Sequence, residues 1–357
     1  MTPQESICLK IQKAYGEKAI ALTKKLKIFN SELEIQRNEA FIYIPLARKP
    51  SKDELEALKE KIPSAEVSSK IFSEKKKAPK TLVELLEEKL PPHLIASLPK
   101  AMDFVGDIAI IEIPPELNAH KKVIGEAILR AHKNVRTVLA KAGAVKGVYR
   151  LREFNVIAGE PKTETIHKEY GCQFYVDLSR VYFSPRLSYE HYRVATSARE
   201  GETIIDLFAG VGPFAILIAK MHKNVRVYAI DINPSAIEYL KTNIRLNRVE
   251  GKVYPLLGDA RAVVEEKLKG VADRIIMNLP EKAMDFVDVA CNALKQTGGT
   301  VHFYSFVNAE EPLERVKTKF EDAVEKCGRR VNKILFSRFV RETAPYEWQA
   351  VLDAEII

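Results

Sequence analysis

The chain has 357 residues, 46% of them hydrophobic, and a formal net charge of +8. That length suits about two or three domains, each able to bury a core, and no apolar run reaches the roughly 18 residues that a membrane-spanning helix requires. Four scattered cysteines without a CxxC pair, and seven histidines without ligand spacing, argue against a metal site and fit a reducing, cytoplasmic compartment.

The first residues, MTPQESICLK, lack the basic-then-apolar plan of a signal peptide. Residues 1–80 hold 17 Lys and Arg against 11 Asp and Glu, a balance of +6. Residues 81–187 hold 15 against 13, and residues 188–357 hold 24 of each. A basic front on a neutral remainder suggests a large polyanion gripped at a distance from the chemistry. Within residues 1–72 the pattern predicts a strand at Cys8–Ile11, a helix at Gly16–Leu26 and a strand pair at Leu33–Gln36 and Glu39–Ile44. A helix follows Ser51, with Asp53 and Glu54 in its first turn, and a last strand is expected at Glu66–Phe72. This is a small α+β domain. The charged, proline-containing stretch Ser73–Lys80 reads as an exposed linker.

Residues 81–187 form a second α+β unit. Thr81 caps a helix that stops at Pro91-Pro92, Ile108–Ile113 is an apolar strand, and Asn118–Leu139 has helical periodicity. Val148–Leu151, Glu164–Glu169 and Cys172–Asp177 read as strands.

From Thr203 onward strands and helices alternate, the mark of a mostly parallel sheet. Ile204–Phe208 is a buried strand carrying Asp206 and Phe208. Ala209, Gly210 and Gly212 make a tight turn, and a helix runs from Phe214 to Met221. Glycines there let backbone approach a ligand that a Cβ would obstruct. The next strand, Val225–Ile230, ends at Asp231 followed by Ile232, where an acid holds a ribose through its hydroxyls. Val253–Leu257 runs into Gly258-Asp259-Ala260, placing a carboxylate for an adenine amino group beside an apolar neighbour. Arg274–Met277 runs into Asn278-Leu279-Pro280, where Asn offers both an acceptor and a donor and proline stiffens the backbone. Thr300–Phe306, a long polar helix, Arg330–Phe339 and Glu347–Ile356 complete the sheet with an antiparallel hairpin.

The DLFAGVGPF turn with an acid at the next strand end resembles the S-adenosylmethionine site of class I methyltransferases, which implies a Rossmann-like, seven-stranded, mostly parallel sheet over residues 188–357. GVYRLREFNVIAGE (147–160), VYFSPRLSYEHYRV (181–194) and MNLP (277–280) extend the likeness. Together they resemble the archaeal and eukaryotic tRNA (guanine-37-N1)-methyltransferase family over essentially the whole chain. The resemblance implies a tRNA-binding module at 1–72, a linker at 73–80, a domain at 81–187 that completes the active site, S-adenosylmethionine as cofactor and tRNA as partner; the cysteine and histidine spacing gives no metal, and with no long heptad or self-complementary strand edge in the sequence a monomer is the default.

It also implies roles. Guanine N1 is a poor nucleophile until its proton leaves, so a carboxylate must act as general base, and Glu190 matches the family's glutamate. The charge left on O6 calls for a guanidinium, and Arg150 is the preferred match. Arg152 is two residues on and in a strand would share its face. Asn278 with Pro280 holds the guanine edge, and Tyr182 packs beside the flipped base or shapes its pocket. His191 matches a position at the cofactor's carboxylate end. Blander readings stand beside these: Glu190 could pair with Arg186 or Arg193, Arg150 with Glu153, and Tyr182 could be core. Two other reactions share the fold. One is carbon-7 methylation of a wyosine precursor at the same nucleotide. The other is aminocarboxypropyl transfer, against which Glu190 and the Asn-Leu-Pro form argue.

Overall fold

The computed structural model describes residues 4–75, 81–308 and 312–357 and divides the chain into two units, 1–79 and 80–357. The first contains β1 (Gln4–Gln12), α1 (Gly16–Lys25), β2 (Gln36–Arg37), β3 (Phe41–Pro45), α2 (Lys52–Lys61) and β4 (Glu66–Phe72). Its antiparallel sheet has the order β2-β3-β1-β4 and packs Leu9, Ile11 and Ile44 against Leu58 and Ile62. Ser51 and Glu54 form a reciprocal capping box that starts α2. The strand expected at Leu33–Gln36 shrinks to β2, because the turn forms around Asn38, whose carboxamide oxygen accepts from the amides of Ala40 and Phe41. Of the expected linker, Glu74 bridges to Leu33, and residues 76–80 lie outside the described residues.

The second unit opens with α3 (Leu82–Leu86), capped by a Thr81–Glu84 box, and α4 (Pro92–Ala96). Then come β5 (Met102–Val105), β6 (Ile108–Ile111), α5 (Lys121–Ala131), β7 (Thr137–Lys141), β8 (Phe154–Gly159), β9 (Glu164–Glu169) and β10 (Cys172–Asp177). A four-stranded sheet has the order β5-β6-β7-β8, and β9 and β10 form a separate hairpin. Two expectations fail here. The helix read across Asn118–Leu139 ends at Ala131, and Thr137–Lys141 is instead a buried strand pairing with both β6 and β8. Its β-branched Thr137 and Val138 fit a central strand better than a helix. Val148–Leu151 is not a strand but the tip of a loop closed by a Lys146–Leu151 bridge, and Arg150 adopts a left-handed φ of 56°.

The remaining elements are α6 (Ser188–Ser197), β11 (Thr203–Asp206), α7 (Pro213–Met221), β12 (Arg226–Asp231), α8 (Pro234–Asn247), β13 (Val253–Leu257), α9 (Ala260–Val263), β14 (Arg274–Met277), α10 (Val287–Ala293), β15 (Gly299–Asn308), α11 (Leu313–Lys326), β16 (Val331–Ala344) and β17 (Glu347–Ile356). They build the expected seven-stranded sheet, ordered β13-β12-β11-β14-β15-β17-β16. The first five strands run parallel, and β17 lies antiparallel between β15 and β16. Apolar clusters fill both faces, Phe303 and Phe320 on one and Phe214 and Ile276 on the other. The register aligns Asp206 with Ala229 and Ile276, so the segments leaving β11, β12 and β14 share one edge. A ligand crevice belongs at that carboxyl edge. Among the described residues no helix is long and apolar enough to cross a membrane.

Candidate cofactor cavity and adjoining recess

Pro213 begins α7 at the position where a missing N–H costs nothing, and Gly212 precedes it with φ 92°. A Cβ on Gly212 would meet Leu240 Cδ1 at 2.4 Å, so this glycine serves the packing of α7 on α8 and does not line the cavity. Gly210 differs. It has φ 55°, and the nearest atom to an added Cβ is the Tyr182 carbonyl oxygen at 3.8 Å. Its amide donates to Asp231 Oδ2 at 2.7 Å, and the Asn233 amide donates to Oδ1 at 2.8 Å. The two strand ends are thereby tied together through one carboxylate. Burial raises the Asp231 carboxyl above its ordinary value, while the two amides oppose the shift.

Above this turn lies a cavity of about 420 Å³. Gly210, Phe208, Asp231 and Ile232 form one wall, and Asp259 and Ala260 another. Asp259 Oδ1 caps α9 through the Arg261 amide at 2.9 Å. Phe208 meets Phe286 edge-on at 5.0 Å. His191 also lines the cavity, its Nδ1 2.7 Å from Glu169 Oε1 and its ring edge-on to Phe214. Tyr182, Arg150, Asn278 and Pro280 also line it.

Two expected residues besides Gly212 are not on the wall. Asp206 is fully buried beneath the turn, accepting from the Phe208 amide at 3.3 Å through Oδ1, and Oδ2 has no hydrogen-bond partner. Burial pushes its carboxyl up to about 7. Glu190 is 1% exposed and stands outside the lining. Its Oε2 accepts from Tyr304 Oη at 2.8 Å and Arg193 Nε at 3.0 Å, and its Oε1 accepts from Arg338. The pairing with Arg193 is therefore real, whereas Arg186 pairs with Asp103.

A second recess of about 360 Å³ adjoins the first, sharing Arg150, Tyr182, Ser184, Glu281, Phe306 and Arg341 with it. Arg152 lines this recess but not the cavity. The left-handed turn at Arg150 breaks the shared face expected of a strand, so that both arginines line the recess but only Arg150 reaches the cavity as well. Arg150 lies over the Tyr182 ring at 5.0 Å and 3.4 Å from Glu281, and its Nε is buried without a partner among the described residues. Two carbonyls of the Asn-Leu-Pro backbone bond within the protein. Leu279 O accepts from Lys282 and Ala283, and Pro280 O accepts from Phe306. Asn278 offers its side chain, and its Oδ1 accepts from Gln349 Nε2 at 3.2 Å.

Arg341 and Gln349 escaped the sequence reading. They are cross-strand partners on β16 and β17, with register shifts on either side of Arg341, and bulges of that kind re-aim side chains next to sites. No sequence signal marks them, because bulge positions are set by pairing. Behind them runs a buried ionic chain. Glu202 pairs with Arg274, Arg274 lies 2.7 Å from His302 Nε2, and His302 Nδ1 lies 2.7 Å from Asp353 Oδ1. Asp353 in turn pairs with Arg193, which holds Glu190. A guanidinium only donates, so His302 Nε2 accepts and its Nδ1–H points at Asp353. Burial holds the His302 imidazole below its ordinary value. Burial raises the Asp353 carboxyl, but His302 and Arg193 outweigh it and leave it at about 2.

Residues 165–332 match the model of the TRM5/TYW2 methyltransferase domain, residues 82–163 the TYW2 N-terminal domain, and residues 8–54 the tRNA methyltransferase 5 N-terminal domain. The chain is 45% identical over 267 residues to tRNA (guanine(37)-N(1))-methyltransferase Trm5b of Pyrococcus abyssi, covering 75% of this chain and 78% of that one. It is 35% identical to Trm5b of Methanocaldococcus jannaschii over 98% of both chains. It is 36% identical to tRNA 4-demethylwyosine(37)-methyltransferase Taw21 of Saccharolobus solfataricus over 77% of this chain and 98% of that one. The crystal structure of Pyrococcus abyssi Trm5b superposes with a TM-score of 0.74 at 37% identity, covering 98% of this chain and 99% of that one. A complex of aTrm5 with tRNALeu gives 0.74 at 32% identity, with 98% and 100% covered.

Proposed function

The chain belongs to the TRM5/TYW2 methyltransferase family, and from that premise we propose that it transfers a methyl group to N1 of guanosine 37 of tRNA. It is an S-adenosylmethionine-dependent tRNA methyltransferase. The residues present suit the cofactor. Asp231 stands at a strand end for ribose hydroxyls, Gly210 leaves open space, Ile232 and Phe208 offer apolar surface, and about 420 Å³ is within the usual range for such sites. S-adenosylmethionine, when bound, supplies an electrophilic methyl group.

One observation carries the reading of the acceptor. Arg150 and Tyr182, from two separate segments, line both the cofactor cavity and the adjoining recess, with Asn278 beside them. Arg150 keeps a buried Nε without a partner, which suits an oxyanion such as the guanine O6 of a base losing its N1 proton. Tyr182 offers a ring beside a flipped base. Glu190 takes the N1 proton in this reading, and it can do so only after Arg338 leaves Oε1. Arg338 is the part of its cage on the sheet edge, with a side chain 34% exposed and stacked on Tyr189. An RNA phosphate competes directly for such a guanidinium. Glu281, which lines both spaces and pairs with Arg150, is the second candidate for the proton acceptor.

The likeness to a 4-demethylwyosine methyltransferase makes the wyosine precursor the second substrate to try. Nucleoside mass spectrometry on G37 transcripts and on tRNA carrying the precursor tests both readings. 1-Methylguanosine at position 37 is the expected product. A methyl group on the precursor alone would move the reaction to carbon 7, and an aminocarboxypropyl mass would remove methyl transfer altogether.

A further inference from the structure

Arg341 fixes the polarity of the acceptor wall. Its Nε donates to Gln349 Oε1 at 3.0 Å, one terminal nitrogen donates to Ser184 Oγ at 3.0 Å, and the other donates to Tyr182 Oη at 3.3 Å. A guanidinium has no acceptor, so each of these contacts has only one direction. Gln349 must therefore turn its oxygen to Arg341 and its Nε2 to Asn278. Asn278 must in turn receive that N–H on Oδ1, at 3.2 Å, which leaves Nδ2 as its free end. Tyr182 Oη already accepts from Arg341, so its own hydrogen is free to point elsewhere. Gln349 is 1% exposed and cannot exchange these partners for bulk water.

We propose that Arg341 and Gln349 are positioning residues that turn Asn278 and Tyr182 into hydrogen-bond donors, so that the wall selects a purine with an oxygen at carbon 6. This rests on the guanosine reading above and deepens it. Arg150, whose Nε is buried and has no partner among the described residues, lines the same cavity as Asn278 and Tyr182 and adds a third donor-bearing side chain. Guanine presents O6 and N7 as acceptors along that edge, whereas adenine presents an amino donor there. Donor against donor leaves buried groups unpaired, which is a strong ground for rejection. The same donors gain strength as charge moves onto O6 when the N1 proton leaves.

The test reverses the relay without emptying it. Gln349→Glu still accepts from Arg341 but has no N–H for Asn278, so the Asn278 amide turns over and presents its oxygen to the base. The single-turnover rate on G37 tRNA is expected to fall about 100-fold, the usual cost of losing one preorganised donor. S-adenosylmethionine and tRNA dissociation constants stay within about twofold, a split that a merely structural role would not produce. Asn278→Asp, which also presents an oxygen, is expected to show the same loss. Gln349→Met, uncharged and of similar size, serves if the glutamate variant does not fold. It should lose about tenfold, as one hydrogen bond's orientation is released, and lose nothing further on the Asn278→Asp background. Wild-type rates in both Gln349 variants, or a Gln349→Met loss that multiplies with that of Asn278→Asp, would overturn the relay. Absence of 1-methylguanosine in the wild-type reaction would instead overturn the reading of the reaction itself, before any variant is compared.

Discussion

Tyr304 on β15 donates its hydroxyl to Glu190 Oε2 on α6 at 2.8 Å, and both side chains are buried. Burial, with the Glu190 carboxylate beside it, holds the phenol well above its ordinary value, so it remains a donor. Glu190 is thus a structural anion as well as the proposed base, and the two roles separate by substitution. Glu190→Ala leaves Arg193 to Asp353 alone, releases the partly exposed Arg338 and strands the buried Tyr304 hydroxyl, which should cost about 1–3 kcal/mol of stability, read as a lower thermal midpoint. Glu190→Gln keeps an oxygen for Tyr304 and should fold and bind S-adenosylmethionine, yet lose about 100-fold or more in single-turnover rate. Glu281→Gln should stay near the wild-type rate. The reverse pattern, an inactive Glu281→Gln and an active Glu190→Gln, would make Glu281 the base.

Asp206 predicts a pH-dependent stability. Its folded value of about 7 lies above the 3.8 of a free carboxyl because burial penalises the charge. A raised carboxyl favours folding at low pH, and that contribution is lost as pH rises from about 4 through about 7. The difference between the limits is on the order of 4 kcal/mol. Asp206→Asn removes the titration. Chemical denaturation across pH 4–9 should show the wild-type protein losing stability relative to this variant up to about pH 7, then holding a constant gap. A gap that does not change with pH would show that Asp206 keeps the same charge folded and unfolded.

What the sequence made legible follows a physical divide. The strand–turn–helix at Ile204–Phe214 and the acids after β12 and β13 were readable because local chemistry dictates them. Glycine is needed at positive φ, proline suits a first helical turn, and buried parallel strands are apolar throughout. The capping residues Ser51 and Thr81 were readable for the same reason. Thr137–Lys141 was not, since an apolar run between two strand neighbours has no period that separates it from the end of a helix. Nor was the place of Arg341, which depends on bulges in β16 and on which strand it faces. Glu190 shows the same limit. Its position on a helix was legible, but its three partners come from 3, 114 and 148 residues away.

The two turn glycines should fail in different ways. Gly212→Ala drives a Cβ to 2.4 Å from Leu240 at φ 92°, so overpacking adds to backbone strain, and about 2–4 kcal/mol of stability should be lost. Gly210→Ala meets nothing closer than 3.8 Å and bears only the strain of φ 55°, about 1 kcal/mol. Gly210 lines the cavity, however, and its amide holds the Asp231 carboxylate there, so a side chain at this position alters the wall itself. Calorimetry should therefore show a tenfold or greater loss of S-adenosylmethionine affinity for Gly210→Ala, about 1.4 kcal/mol, at a nearly unchanged thermal midpoint. Equal midpoints for both variants would contradict the packing role of Gly212.

The first unit can be removed. Residues 1–80 carry a net charge of +6, while the cavity, the recess and the buried ionic chain all draw on residues 103 to 353. Deleting residues 1–80 should leave S-adenosylmethionine affinity unchanged, because none of the residues lining its cavity is touched. tRNA affinity should fall, and so should its dependence on salt, since every phosphate left without its cation lowers the slope of log K against log salt by about 0.7–0.9. The specificity for G37 should remain, because cations that grip phosphate hold the RNA without reading its bases. Filter binding at several salt concentrations measures the first effect, and methylation of G37 against A37 transcripts at saturating enzyme measures the second. A truncated protein that binds tRNA with the full-length slope would assign the electrostatic grip to the second unit, and one that methylates A37 would give the first unit a part in base selection.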